Sequence, residues 1–300
     1  MHDWLAERSA ITPERLALLA DGERITYGEL NRRTAELAGR LAACGVGPGD
    51  RIAALLPGGI TYVALIHAAA RLQAVLAPLN TRLTAIELGQ QMARLDPRLL
   101  LYSDVYAATA RALASHADLA TTPDALPAGA PRWQPRPSFD LEATQAIIFT
   151  SGTTGEPKGA MLSFANHFWS ATASAYRLGV RPDDRWLSCL PLYHVGGLAV
   201  LFRACLYGTA AVLHDRFDAA AFQHAIDTQQ ITGTSVVPTM LHRLLATRRE
   251  PWPASLRLVL VGGAAAPAPL IAQAREQRLP IAATYGMTEA ASQVAAVAEA

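Results

Sequence analysis

Lysine is almost missing from this 300-residue chain: of its 26 basic residues only Lys158 is a lysine, and the rest are arginine. Cysteine is scarce as well. Cys44, Cys189 and Cys205 form no C-x-x-C pair, which excludes a disulfide framework and a cysteine-based zinc site and fits core residues of a reduced, cytoplasmic protein. Charge of one sign is also lacking. The formal net charge is +1 and the arginines are scattered, which argues against a sequence-independent grip on nucleic acid and for a small-molecule partner. The most apolar stretch, Ile52 to Leu79, is interrupted by Pro57, Gly58, Gly59, His67, Arg71 and Gln73, whereas a membrane span needs about 20 mostly apolar residues. Asp3 and Glu7 stand where an export signal would carry a basic and then apolar run, so none is expected.

What is present is material for a core. Hydrophobic residues make up 51% and charged residues 17%, the balance of a globular chain of one large or two intimate units. Strand-like and helix-like segments alternate. Ile25 and Thr26 end a strand, a helix follows with Leu30, Ala35, Leu37, Ala38 and Leu41 inward, and Arg51 to Leu56 is the next strand, a βαβ beginning. Gly59 to Leu72 and Thr84 to Arg94 read as helices, and Val75 to Leu79 and Leu99 to Tyr102 as strands. From about 118 to 140 the chain turns proline-rich, with Pro123, Pro127, Pro131, Pro135 and Pro137, which predicts an irregular connection between two lobes. Phe164, Phe168, Ala171, Ala175 and Leu178 then mark one face of a helix. Strands are expected at 186–190, 210–214, 233–237 and 281–284, and helices at 196–207 and 219–229 and after Pro238. The class is α/β, with mostly parallel sheets layered with helices.

The run "AIIFTSGTTGEPKGAMLS" places the lone lysine in a glycine-rich loop that follows the strand Ile147 to Phe149 and is expected to precede a helix. Glycines let backbone amides crowd an anion, the hydroxyls of Thr150, Ser151, Thr153 and Thr154 add donors, and Lys158 adds charge. That is a phosphate cradle. It is not a Walker A loop, because Glu156 and Pro157 separate Gly155 from the lysine. A glycine loop that merely caps a helix in some other α/β protein is the plainer alternative.

"SGTTGEPKG" resembles the signature of the adenylate-forming superfamily of acyl-CoA synthetases, luciferases and peptide-synthetase adenylation domains. "LPLYHVGGL" (190–198), "VGGAAAP" (261–267) and "TYGMTEAASQ" (284–293) resemble its acyl-pocket, adenosine-side and adenylate motifs, in the family's order. The run from Trp186 to Val294 is most similar to o-succinylbenzoate-CoA ligases of menaquinone biosynthesis. The resemblance implies ATP, Mg²⁺ and coenzyme A as reactants and a carboxylic acid as substrate, activated to an acyl-adenylate and then to a thioester.

Site roles follow from the same resemblance. Thr150, Ser151, Gly152, Thr153, Thr154, Gly155 and Lys158 would close on the β- and γ-phosphates. Gly262, Gly263 and Ala264 would lie against the adenosine, and the Thr284, Tyr285, Gly286, Met287 run against the adenylate, with Tyr285 stacked on adenine. Thr288 would bond the α-phosphate and Glu289 would reach the magnesium ion. His194 would touch the reacting carboxylate, with Gly197 beside it in the acyl pocket. Arg203, in an otherwise apolar helix, has two readings: a buried grip on the second carboxylate of a dicarboxylic acid, or an exposed arginine on the outer face.

The family continues past the adenylate motif with a ribose-binding aspartate, a hinge and a small lid domain carrying a further lysine. The resemblance therefore implies that residues 1–300 are an incomplete AMP-binding domain, that the C-terminal domain is missing, and that the isolated chain is poorly active. "ASQVAAVAEA" reads as a strand without neighbours, an exposed edge. A fatty- or aromatic-acid ligase, or a non-catalytic nucleotide-binding fragment, stand as alternatives, and a homodimer stays open.

Overall fold

The computed structural model describes residues 2–129, 138–150 and 156–298. Helix α1 (Trp4–Ile11) is capped by Asp3, whose carboxylate accepts from the amides of Leu5 and Ala6 at 3.0 Å, donors that a first helical turn leaves without partners. Strands β1 (Leu16–Ala20) and β2 (Glu23–Thr26) follow, joined by Asp21 and Gly22 at positive φ, the turn chemistry of a tight hairpin. Next come α2 (Tyr27–Ala43), β3 (Arg51–Leu55), α3 (Ile60–Leu72), β4 (Val75–Pro78), α4 (Ala85–Leu95), β5 (Leu99–Tyr102), α5 (Ala107–Leu113), β6 (Leu119–Thr121), β7 (Thr144–Thr150) and β8 (Lys158–Ser163). The remainder is α6 (Phe164–Leu178), β9 (Arg185–Ser188), α7 (Val195–Tyr207), β10 (Ala210–Leu213), α8 (Ala219–Thr228), β11 (Gly233–Val236), α9 (Pro238–Thr247), β12 (Leu258–Val261), α10 (Ala268–Glu276), β13 (Ile281–Met287) and β14 (Ser292–Ala298). The chain forms two compact units, one of Met1–Arg15 with Thr26–His167 and one of Leu16–Ile25 with Phe168–Ala300.

In the first unit the strands run β6-β5-β3-β4-β7-β8, parallel except for the antiparallel β7–β8 pair. Both faces of this sheet are covered, so β3, β4 and β5 read as continuous apolar runs rather than alternating ones. Helix α3 is buried at nearly every position, which explains the apolar run noted above: among the described residues no helix is long and apolar enough to cross a membrane. The polar break in that run, Arg71, is buried and ion-paired with Asp3 at 2.5 Å.

The second unit holds the sheet β14-β13-β12-β11-β9-β10-β1-β2. Its strands are parallel from β13 to β1, with β14 antiparallel at one edge. Leu187, Val212, Phe222, Ile226, Leu241 and Val259 belong to its core. Pro238 opens α9, where its missing N–H costs nothing.

Four expectations are corrected. Strands β2 and β3 sit in different sheets, so the segment they flank is not a βαβ unit; the β1–β2 hairpin belongs to the second unit's sheet instead. The proline-rich run at about 118–140 lies inside the first unit, and the chain changes units near residues 15, 25 and 167. Its carbonyls at Asp124, Leu126 and Pro127 accept from the Arg40 guanidinium, a donor that replaces the N–H groups prolines lack; residues 130–137 are outside the described residues. Strand β8, not a helix, is the element that follows the glycine-rich run, and it pairs antiparallel with β7. The C-terminal strand β14 has a neighbour in β13 and is an edge on one side only.

Candidate functional site

In the second unit the chain passes from β9 to β10 on one side and then crosses back to place β11 on the other. Such a reversal opens a crevice at the carboxyl ends of the two diverging strands, where open α/β sheets bind ligands. A cavity of about 410 Å³ lies there, lined by Leu190 after β9, Ser235 to Val237 at the end of β11, Gly262 and Gly263 after β12, and residues of β13 and β14.

The cavity brings together eight residues singled out from the sequence: His194, Arg203, Gly262, Gly263, Thr284, Gly286, Met287 and Thr288. Register shifts between Tyr285 and Gly286 in the β13–β14 pair, and this irregularity breaks the strict alternation of a strand, letting Gly286, Met287 and Thr288 line the same space. Tyr285 does not line it and is 63% exposed. Glu289 and Ala264 are exposed and also outside the lining. His194 is the N-cap residue of α7 and its ring meets Tyr193 edge-on at 4.7 Å. Gly197 is buried and does not line the cavity, while its neighbour Gly196 does. A Cβ on Gly197 would come within 2.5 Å of the Pro191 carbonyl oxygen, so the close approach of α7 to the preceding turn is what requires a glycine there.

The wall at Gly262 and Gly263 has no room for side chains. A Cβ on Gly262 would overlap the Thr284 hydroxyl, and Gly263 holds φ at +80° with Val237 Cγ1 3.1 Å from any added Cβ. Thr284 Oγ1 donates to the Val261 carbonyl at 3.3 Å, which ties β13 to the end of β12 and keeps this wall flat.

Of the two readings of Arg203, the exposed outer face is excluded: the residue is buried, at 8% exposure. Three arginines are buried among the described residues, and two have acids. Arg71 pairs with Asp3, and Arg248 pairs bidentately with Asp227 at 2.7 and 2.8 Å. Arg203 instead has neutral partners: Nε donates to the Ala199 carbonyl at 3.3 Å, Nη1 to Ser174 Oγ at 3.1 Å, and the guanidinium lies 5.3 Å from the Trp186 ring centroid. Burial pulls its pKa below the ordinary arginine value, with only Tyr207 opposing. A desolvated cation without a counter-ion at a cavity wall is a demand for an anion.

Of the phosphate-cradle residues, Ser151, Gly152, Thr153, Thr154 and Gly155 lie outside the described residues. Thr150 and Lys158 flank them as register partners at the end of the β7–β8 pair, with Thr150 Oγ1 donating to the Lys158 carbonyl at 3.4 Å. Glu156, the acid nearest the lysine in sequence, is paired with Arg94, which also donates to the Pro157 carbonyl. Lys158 is exposed and has no ion pair among the described residues.

Ser174, Gln293 and Trp186 were not legible as site residues. Helix α6 buries Phe164, His167, Ala171 and Ser174, a stripe rotated from the apolar face drawn from the sequence. The signal was a serine three residues after a buried alanine. Cys189, at the end of β9, is pushed up to about 12 by burial, so it is a neutral thiol rather than a nucleophile.

The AMP-binding enzyme family model matches residues 5–300. The chain is 39% identical over 99% of its length to the 2-succinylbenzoate–CoA ligase of Bacillus licheniformis, and covers 62% of that protein. It superposes on the O-succinylbenzoate coenzyme A synthetase of Bacillus subtilis in complex with ATP and magnesium ion with a TM-score of 0.95 at 35% identity, covering 99% of this chain and 62% of that one. The N-terminal domain of FACL13 from Mycobacterium tuberculosis gives 0.89 at 27% identity, covering 96% and 76%. The chain thus spans about three fifths of the length of the curated relatives it matches.

Proposed function

The chain belongs to the AMP-binding enzyme family, and from that premise we propose that it carries the nucleotide- and acid-binding part of an AMP-forming acid–CoA ligase whose acid is o-succinylbenzoate. In the first step a carboxylate oxygen attacks the α-phosphorus of ATP and pyrophosphate leaves. In the second the thiol of coenzyme A attacks the acyl carbon and AMP leaves. A cytoplasmic setting suits these co-substrates and three free thiols.

The residues fit a nucleotide. The side-chain-free wall at Gly262 and Gly263 suits the flat face of adenosine, and Tyr285 presents an open aromatic ring for stacking. Thr288 at the cavity supplies a hydroxyl for the α-phosphate, and Thr150 and Lys158 stand at the base of the cradle for the outer phosphates. Magnesium would supply positive charge against the phosphates. Among the described residues no group of three metal-ligating side chains exists, so the phosphates would be its principal ligands and Glu289 its protein contact. His194, at the cavity mouth, would orient the reacting carboxylate.

The observation that carries the substrate assignment is Arg203. Monocarboxylic acids bring one anionic group, and adenylation consumes it; a dicarboxylate keeps a second to neutralise a buried guanidinium. The test is acid-dependent ATP–pyrophosphate exchange by a protein of the relatives' length, with o-succinylbenzoate, 4-oxo-4-phenylbutanoate and a fatty acid compared. o-Succinylbenzoate is expected to give the highest kcat/KM. Equal or better use of the fatty acid would refute the assignment and make the chain part of a different acid–CoA ligase.

A further inference from the structure

Beneath the cavity, two hydrogen-bond donors converge on one buried hydroxyl. Ser174 Oγ, on α6, accepts from Arg203 Nη1 at 3.1 Å and from Gln293 Nε2 of β14 at 3.4 Å. Tyr207, which lines a small cavity together with Ser174 and Arg203, donates its hydroxyl proton to the Ala171 carbonyl. A serine hydroxyl has one proton and two lone pairs. With both lone pairs taken by N–H donors, the hydroxyl is held from two sides and is left only its proton to give. The network is directed: guanidinium and amide both donate to serine, and tyrosine donates to a carbonyl of α6.

This directionality matters for Arg203. Its Nε is held by the Ala199 carbonyl, its Nη1 by Ser174, and its flat face by Trp186. Nη2 has no hydrogen-bond partner among the described residues, and the side chain lines the cavity. A long side chain with this much rotamer freedom would otherwise have to be ordered by the ligand itself.

The geometry points to Ser174 as a positioning residue for acid specificity: with Gln293 fixing its hydroxyl, it holds the Arg203 guanidinium so that its free edge grips the second carboxylate of a dicarboxylic acid. This rests on the dicarboxylate reading given above. Ser174 itself does not line the main cavity; it acts through the arginine.

Calorimetric titration of the 300-residue protein with o-succinylbenzoate and with 4-oxo-4-phenylbutanoate, which lacks the aryl carboxylate, separates the two ideas. Wild type is expected to prefer the diacid by about tenfold or more, the effect of a charge-assisted contact. Ser174→Ala is expected to cut that preference by roughly five- to tenfold while the monoacid's affinity stays within about twofold, because only the guanidinium's placement is lost. Gln293→Leu, on an edge strand where folding tolerates change, is expected to cut it by about two- to threefold. A Ser174→Ala protein that keeps the full preference, or loses both acids equally, overturns the positioning role. If that variant does not fold, an unchanged preference in Gln293→Leu overturns it. A wild-type protein that binds the two acids equally, or neither, refutes the dicarboxylate reading instead.

Discussion

Replacing Arg203 with methionine is expected to make the second unit more stable and its acid site worse. A buried cation without a counter-ion carries a desolvation penalty of several kcal/mol. Against it stand hydrogen bonds from a charged donor to Ala199 and Ser174, roughly 1.5–3 kcal/mol each, and the Trp186 face, about 1–2 kcal/mol. The terms nearly cancel, so burial of the apolar methionine side chain, worth about 1.5–3 kcal/mol, decides the sign and is expected to leave the variant about 1–2 kcal/mol more stable. Methionine has nearly the same reach, and little is orphaned: Ser174 Oγ keeps Gln293, and the Ala199 carbonyl keeps its helical N–H. Urea denaturation followed by tryptophan fluorescence reads the stability, with calorimetry on o-succinylbenzoate as the second readout. Affinity is expected to fall by about a hundredfold, the cost of losing a bidentate charge pair. Saturating o-succinylbenzoate, at about 100 times its Kd, is expected to add about 2.7 kcal/mol to wild type and almost nothing to the variant. A variant destabilised by more than about 2 kcal/mol that still binds the diacid would refute the reasoning, because Arg203 would then be a structural residue.

Two further outcomes follow from burial and close packing elsewhere in the chain. Burial lowers the pKa of His167 to about 3 and that of His67 to about 4, the latter opposed by the Asp3 carboxylate and reinforced by the Arg71 guanidinium. An unfolded histidine titrates near 6.5, so below about pH 6.5 the unfolded state binds the extra protons. The first unit is therefore expected to hold its full stability above that pH and to lose a few kcal/mol per histidine as the pH falls towards 4 and then 3. His167→Leu is expected to flatten the slope, and a denaturation midpoint that does not move between about pH 7 and 4.5 would contradict this. Gly262→Ala would press a Cβ on Thr284 Oγ1 and force it from the Val261 carbonyl. About 1–3 kcal/mol of stability is expected to be lost, with weaker ATP binding and an unchanged acid affinity in calorimetric titration.

Local patterns were legible where one period dominated. The helix after Thr84 begins with a capping box between Thr84 and Glu87, and β4, β5 and α3 fall within a residue or two of their expected bounds. Sheet membership was not legible, because strand pairing is decided by partners far away in sequence: β1 pairs with β10, nearly two hundred residues later. The strand after the glycine-rich loop was missed because Gly159 and Ala160 weaken its pattern, and its pairing with β7 supplies what the local sequence does not. Glycine wall, adenylate motif and His194 were readable as motifs. Arg203's burial was not, since it depends on Ser174, 29 residues earlier in the chain, and on Gln293, which bonds that serine across 119 residues.

The contrast among the buried arginines narrows what the cavity is for. Arg71 and Arg248 show how this chain neutralises cations it buries for structure: each has a carboxylate within 2.7 Å, and further oxygen acceptors from Asn31, Glu250 and Pro251 fill out their donors. Asp184 does the same for the partly buried Arg257. Arg203 lies close enough to share a small secondary cavity of about 30 Å³ with Asp184, yet that acid is committed to Arg257, Thr232 and the Arg181 amide. A nearby carboxylate turned to another arginine leaves Arg203 charged towards the main cavity, and a neutral site there would be reached more cheaply with methionine or leucine. What an uncompensated guanidinium adds is selectivity: acids without a second anionic group must leave it unpaired, and that penalty falls on the wrong substrate rather than the right one.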